Sequence, residues 1–477
     1  MLETLHLSAT IYFLSEWVVR IVMLFWVPTR RSPEAAKGWL LFIFFLPWPG
    51  IVLYALIGRP YAPNWRRQRL QKLIAGMNTI TQDLATHPSI FHPKLTAELE
   101  MSVHLAERVG RLPILGGNSA ELLADYDESL RRLAADIEAA QSHVHLLYYI
   151  FQADGATEPI LSALERAAQR GVTCRVLVDA LGSRKMVSSL FPRLQAAGVQ
   201  CHEMLVTGLF RRYAARTDLR NHRKIAVIDG RIAYTGSQNL IRADFKEGIT
   251  YEEMVVRVTG PVVLEFQFVF VSDWYLETEE MLNTPSLFSP PGQTATLPAQ
   301  VLASGPTYAP EGIQRLVLAL IHGARKRVVI TTPYFIPDAP LLTALIIAVL
   351  RGVEVHLVLS AVEDQFLVSQ AQRSYYEELL EAGVKIHLFQ ERFLHAKHMT
   401  VDDQVAVIGS SNMDIRSFVL NAEISLIVYD PAFTIQLHAE QDRYFRGSRL
   451  LTLQEWQQRS FAARFTQNLA RLMSPLL

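Results

Sequence analysis

The chain has 477 residues, half of them apolar and 19% charged, and its 46 basic and 46 acidic side chains cancel to zero net charge. At roughly 150 residues per domain this is two or three folded units, and the composition excludes a disordered or low-complexity protein. Zero net charge argues against a protein that lives on nucleic acid, and two cysteines, Cys174 and Cys201, cannot supply a disulfide scaffold or a four-cysteine zinc site.

The mean hydropathy of +0.15 is high for a cytosolic enzyme, and the excess lies at the start of the chain. Residues 38–58 (GWLLFIFFLPWPGIVLYALIG) carry no charge over 21 residues, enough to cross a hydrocarbon core of about 30 Å. Residues 5–27 contain Glu16 and Arg20, four apart and therefore able to pair on one helix face. Together they predict a membrane hairpin over residues 1–60, with spans at 5–27 and 38–58; the alternative is one span preceded by an interfacial helix. The first 19 residues hold no Lys or Arg, which argues against a signal peptide. Trp17, Trp26, Trp39 and Trp48 suit interfacial anchoring. Arg30, Arg31 and Lys37 occupy the turn, and Arg59, Arg66, Arg67, Arg69 and Lys72 follow; the larger cluster favours a cytoplasmic remainder.

Residues 61–124 read as a helical connecting region with loop signals at 115–118. From there, strand-like runs alternate with helical ones, which implies parallel βαβ packing. The pattern recurs: residues 327–335 (RVVITTPYF) take the place of residues 142–151, and Arg351-Gly352-Val353 echoes Arg170-Gly171-Val172. A period near 180 residues is too long for a solenoid. The expected fold is α/β: two fused α-β-α repeats, 125–290 and 291–477, related by duplication and joined across the proline-rich 285–300.

The chemistry lies inside the repeat. His222, Lys224, Asp229, Gly236, Ser237 and Asn239 recur as His395, Lys397, Asp402, Gly409, Ser410 and Asn412, at identical offsets from histidine. Glu253 precedes Pro261 by eight residues, as Glu423 precedes Pro431. On a strand each histidine shares a face with its lysine, and an imidazole beside an obligate cation, placed twice, suits an anion held between them. Asp229 and Asp402 also sit where hairpin turns are expected. A metal set of His395, His398 and Asp402 is disfavoured, because His398 has no counterpart in the first repeat and lysine is a poor neighbour for a cation. Two histidines on opposite sides of a phosphodiester could divide nucleophilic attack and acid/base work. The lysines, asparagines and serines would stabilise the non-bridging oxygens, and the glutamates would fix the imidazole tautomers. Glu253 lies 31 residues after His222 whereas Glu423 lies 28 after His395, so Glu252 is an alternative acidic partner in the first repeat.

The duplicated H-x-K-x4-D and G-S-x-N pattern resembles the phospholipase D superfamily, from about residue 125 to the C-terminus. With the N-terminal hairpin, the following basic stretch, the TPYF segment at 332–335 and the terminal SPLL, the chain looks like a bacterial cardiolipin synthase of that type. The resemblance implies a phosphatidyltransferase of the inner membrane that uses phosphatidylglycerol, makes cardiolipin, and needs no metal or cofactor. It also implies that His222 is the nucleophile and His395 the acid/base; the motifs themselves are symmetric and leave the order open. A phospholipase D-type hydrolase and a catalytically dead membrane scaffold are the alternatives. Two further features fit a lipid substrate. The stretch 208–221 is aromatic and basic (Phe210, Arg211, Arg212, Tyr213, Arg216, Arg220), and suits either anionic headgroups or solvent. Phe461, Phe465, Leu469, Leu472 and Leu476 follow helical spacing, suited to a membrane interface or to docking on the core.

Overall fold

The computed structural model describes residues 2–31, 33–58, 64–207, 218–289, 291–308 and 311–474. The chain divides into one unit of Met1–Pro63 with Thr207–Leu219 and a second of Asn64–Val206 with Arg220–Leu477. Residues 208–217, most of the expected headgroup loop, lie outside the described residues, as do Arg59 and the last three residues.

In the first unit a helix runs over Leu2–Trp26. Its window His6–Trp26 is, among the described residues, the one helix long and apolar enough to cross a membrane. Arg20 pairs with Glu16 at 3.2 Å, as the spacing predicts, and donates from Nε to the carbonyl of Phe44 at 3.0 Å. The expected second span is instead two short helices, Pro33–Phe45 and Pro47–Ile57. At 1.5 Å per residue each is about 20 Å or less, short of a hydrocarbon core. Pro47 is the cause: it brings no N–H and pushes Leu46 off helical geometry, to φ −131°, ψ 74°. The two-span hairpin is therefore not supported.

Among the described residues the second unit is built on a 16-stranded sheet that contains both repeats, with two two-stranded sheets beside it. In the first half the order runs from the seam strand Leu115–Leu123 through Val255–Thr259, Ile232–Gly236 and Ile225–Ile228 to His143–Tyr148, Thr173–Asp179 and Gln200–Met204. The second half repeats it, from Leu297–Ser304 to Lys385–Phe389, with Ser448–Leu451 added at the edge. In each half only the last three of those repeated strands are parallel; the others run antiparallel, so the sheet is mixed rather than uniformly parallel.

The halves meet where Leu115–Leu123 pairs antiparallel with Leu297–Ser304. The helical reading of the connecting region holds for Asn64–Gly76, Asn78–Ala85 and Ala97–Gly110 and fails at this seam strand. Its apolar pattern is broken by Asn118, which is fully buried. The Asn118 amide donates to the carbonyls of Leu115 (2.6 Å) and Leu297 (2.9 Å), and its oxygen accepts from Val262 N–H at 2.8 Å. A buried side chain that satisfies backbone groups reads as a loop signal in sequence. Beneath the seam lies Val263–Thr278, a helix buried on nearly every face, including Trp274 at 0% exposure. Two residues of the expected juxtamembrane basic cluster pack against this unit: Arg66 is buried and pairs with Glu277 at 2.6 Å, and Arg69 pairs with Glu279. At the C-terminus, Phe461–Arg471 is helical and turns Gln467 and Ala470 inward. Phe461, Phe465, Leu469 and Leu472 remain exposed, so the apolar face is the one left uncovered.

Candidate active site

Each histidine motif crosses from one half toward the other before entering its own sheet. Arg220–Asn221 forms a two-residue parallel bridge with Asn421–Ala422, and Phe393–Leu394 forms the matching bridge with Tyr251–Glu252. His222 N–H then donates to the Ala422 carbonyl (2.9 Å) and His395 N–H to the Glu252 carbonyl (2.8 Å). Each histidine is thus stitched to the residue preceding the other half's glutamate.

The acidic partners are consequently exchanged. His222 Nδ1–H donates to the Glu423 carboxylate, 3.0 Å from both oxygens, and His395 Nδ1–H donates to Glu253 at 2.7 Å. The expectation that each half supplies its own acidic partner is corrected by this crossing. Glu252 is not the substitute: it binds Arg392 (3.3 Å) and Arg443 (2.5 Å). Two glycines permit the approach. A Cβ on Gly236 would lie 2.2 Å from the Met254 carbonyl, and one on Gly409 2.2 Å from that of Ile424. These carbonyls belong to the residues directly after Glu253 and Glu423.

Ser237 and Ser410 are fully buried and do not border the cavity that the histidines line. Ser410 Oγ donates to Glu423, and Ser237 Oγ accepts from Met254 N–H at 2.9 Å beside Glu253. Both serines thus bear on the glutamates, Ser410 by a direct hydrogen bond to Glu423 and Ser237 by helping to hold the Glu253 pKa down. Asn239 and Asn412 do line the cavity; Asn239 Oδ1 accepts from Ile150 N–H at 3.1 Å, and Asn412 Oδ1 is buried without a partner among the described residues.

Asp229 and Asp402 are also corrected. Each sits in a left-handed turn, at φ 54° and 51°, beyond the far end of its strand. Asp229 accepts from the backbone N–H groups of Gln141, Ser142 and His143, and Asp402 from those of Arg325, Lys326 and Arg327, all at 2.6–2.9 Å. They staple the entry of the first parallel strand in each half and do not reach the histidines. Asp402→Ala should therefore lower stability by roughly 2–4 kcal/mol, since three amides lose a charged acceptor. Denaturation midpoints should show the loss, while kcat of the folded fraction stays close to that of the parent. His398, disfavoured as a ligand, is buried beside Gln441.

Both imidazoles open onto one cavity of about 580 Å³. Lys224 and Lys397 stand behind them, 1% and 2% exposed, and donate to the backbone carbonyls of their own histidines at 2.7 Å. Lys397 Nζ also lies 3.1 Å from His395 Nε2. Burial lowers the His222 pKa to about 4, with Lys224 adding to the effect and Glu423 opposing it; His395 moves down for the same first reason, opposed by Glu253. Burial and the facing Lys397 bring Lys224 to about 7; burial brings Lys397 to about 8 against the pull of Glu253 and Glu423. Burial pushes Glu253 and Glu423 up, but their histidines and the lysines outweigh it, and both remain ionised.

The two lysines of lowered pKa therefore share the site with two ionised carboxylates, the site loses positive charge as pH rises, and a bound anion opposes the downward shift of the lysines. In pH–rate profiles, kcat/KM should fall as pH passes 7–8 and the lysines deprotonate. The basic limb of kcat should lie at higher pH, because a bound phosphodiester holds the lysines protonated. Coincident basic limbs for the two parameters would contradict this reading.

Sequence reasoning missed Arg223, the variable residue within the first H-x-K. It is fully buried, pairs with Asp273, and donates to the carbonyls of Glu423 (3.0 Å) and Ser304 (3.1 Å), locking the crossed glutamate strand. Its counterpart Ala396 gives no signal of such a role. Tyr251 and Asp364, both in the cavity wall, were missed as well.

Two tautomer-locked imidazoles and two buried ammonium groups on an internally duplicated sheet define a phospholipase D-type fold. The family described as "Cardiolipin synthase, PLD-like domain" matches residues 133–274 and 317–446. The chain is 37% identical over 456 residues to cardiolipin synthase A of Pectobacterium carotovorum subsp. carotovorum (strain PC1). It is 36% identical over 456 residues to that of Serratia proteamaculans (strain 568), and both alignments cover 94% of each chain. The solved structure of phosphatidylserine synthase from Haemophilus influenzae Rd KW20 shares the fold, with a TM-score of 0.61 at 16% identity over 79% of this chain and 100% of that one. The chain belongs to the cardiolipin synthase family of phospholipase D-like proteins.

Proposed function

We propose that the chain transfers a phosphatidyl group from one phosphatidylglycerol to another, forming cardiolipin and releasing glycerol. The observation that carries this reading is the pair of crossed histidine–glutamate contacts facing one cavity, each backed by a buried lysine. With Nδ1–H committed to Glu423, His222 presents a neutral Nε2 lone pair that attacks phosphorus. The P–O bond to glycerol breaks as His395, protonated in the presence of the anion, gives its proton to the departing oxygen. The terminal hydroxyl of a second phosphatidylglycerol then loses its proton to His395 and attacks; its oxygen bonds to phosphorus and the P–N bond to His222 breaks. One phosphodiester replaces another, so the exchange needs no external energy source. Lys224, Lys397, Asn239 and Asn412 would carry the charge on the non-bridging oxygens.

The helix Leu2–Trp26 would anchor the chain in the bacterial cytoplasmic membrane, and Arg30, Arg31 and Lys37 after it favour a cytoplasmic catalytic unit. The exposed Phe461, Phe465, Leu469 and Leu472 suit contact with the bilayer interface. Membranes containing the protein, incubated with labelled phosphatidylglycerol, should yield cardiolipin and glycerol. Phosphatidic acid as the sole product would identify a hydrolase, and no turnover would end the enzymatic reading.

A further inference from the structure

The catalytic groups obey the internal two-fold, but the cavity walls around them do not. Strand pairing fixes the correspondence, because Arg220 lies opposite Asn421 and Phe393 opposite Tyr251. Two residues before the histidine, the His222 side therefore carries a buried arginine, whose Nη1 has no hydrogen-bond partner among the described residues, and the His395 side carries a phenylalanine. The paired position is an amide on one side and a phenol on the other. Tyr334 holds the repeat position of Ile150, one residue before the bridges that pair Phe335 with Met413 and Phe151 with Leu240.

On the His395 side these substitutions assemble a hydroxyl-rich wall. Tyr334 Oη donates to Asp364 Oδ2 at 2.6 Å, and Tyr251 Oη donates to the same oxygen at 3.3 Å. Gln365 Nε2 donates to Tyr334 Oη at 3.0 Å, and the Lys246 ammonium stands 3.8 Å from Asp364. Both tyrosine rings meet the His395 imidazole edge-on, with centroids 5.4 Å (Tyr251) and 6.3 Å (Tyr334) away. All of these residues border the cavity.

We propose that this wall is a polyol subsite: Asp364, Tyr334, Tyr251 and Gln365 bind the hydroxyls of a glycerol headgroup beside His395. A carboxylate flanked by phenols and an amide offers acceptors and donors at short spacing, the pattern that adjacent hydroxyls satisfy together. A monohydric alcohol leaves the wall's mutual hydrogen bonds as they are and adds none, so the discrimination comes from the extra contacts that a second and third hydroxyl make with the carboxylate and the phenols. The inference rests on the phosphatidyl-transfer reading and deepens it. In-line displacement puts the leaving and entering oxygens opposite the attacking nitrogen, so a headgroup subsite at His395 makes His222 the nucleophile. The symmetric motifs could not supply that direction; the asymmetric wall does.

The test uses the full-length protein and a phosphatidyl p-nitrophenol donor, whose leaving group needs no polyol contact. Labelled glycerol and propan-1-ol compete as acceptors. The parent should prefer glycerol, and Asp364→Asn, Tyr334→Phe and Gln365→Ala should each lower that preference, by about tenfold for the first two. Circular dichroism and an unchanged thermal midpoint certify that each variant is folded, and the preference is read as the ratio of phosphatidylglycerol to phosphatidylpropanol formed in one reaction. Gln365 is exposed at the rim, so its alanine variant should leave the fold intact. An unchanged preference in Tyr334→Phe and Gln365→Ala would overturn the subsite, as would a preference shifted by Arg220→Gln instead. Failure of the parent to make cardiolipin from phosphatidylglycerol would end the function reading alone, because acceptor preference is scored on a different donor.

Discussion

His395→Ala should halt turnover and leave the phosphatidyl group stranded on the enzyme, whereas His222→Ala should never become labelled. With phosphatidylglycerol as donor, both variants should lose about 10⁴-fold or more in kcat, since one lacks the nucleophile and the other its acid/base. The distinction appears with a phosphatidyl p-nitrophenol donor, whose nitrophenolate departs without a proton. His395→Ala should then release a stoichiometric burst of nitrophenolate and stop, because no base remains to deprotonate the acceptor alcohol. The label should be acid-labile and base-stable, as a P–N bond requires. Burial holds the His222 pKa at about 4, with the lysine behind it adding to the effect, and lowers His395 for the same first reason, so the order of the two roles is read from the labelling and not from their titration. A burst in His222→Ala and none in His395→Ala would exchange the two roles.

The residues at the centre of this chemistry were legible because duplication writes the same pattern twice. A single H-x-K on a strand says little, but two copies at matched spacing mark His222, Lys224, His395 and Lys397, and the structure sets all four at one cavity or directly behind it. What the pattern did not carry was which group each conserved spacing serves. Asp229 and Asp402 recur because each half needs the same turn staple, and Ser237 and Ser410 recur beside the crossed glutamates, one holding the Met254 amide and the other Glu423 itself. Periodicity in sequence reports local geometry, whereas the crossed glutamates depend on pairings some 200 and 142 residues apart along the chain. The seam strand was hidden for a related reason: Asn118 and Gly117 give a loop-like signature to a segment whose strand character comes from its neighbours on both sides. At the N-terminus, an apolar run was long enough to span, but Pro47 breaks the helix that length alone predicts.

Crossing the acidic partners has a kinetic consequence that an uncrossed site would not share. With His222 as the proposed nucleophile, Glu423 would hold the imidazole that attacks and Glu253 the imidazole that moves protons, so each half's carboxylate would govern a different step through the other half's histidine. Glu423→Gln keeps shape and hydrogen bonding but removes the charge that fixes the His222 tautomer, and should slow nucleophilic attack by roughly 10²–10⁴-fold. With the nitrophenyl donor, this variant should show a slow burst. Glu253→Gln should keep a burst close to that of the parent, because attack on that donor requires nothing of His395. It should instead slow the release of the phosphatidyl group to the acceptor by a similar factor, since a less basic His395 deprotonates the alcohol poorly. The same logic applies to double variants on that first step. Glu423→Gln added to His395→Ala should slow the burst by its full factor, while Glu253→Gln added to His395→Ala should change nothing further. Pairing within each half would give the opposite assignment, with Glu253→Gln abolishing the fast burst. Stopped-flow release of nitrophenolate from the four proteins distinguishes the two arrangements, and a slow burst confined to Glu253→Gln would refute the crossed site.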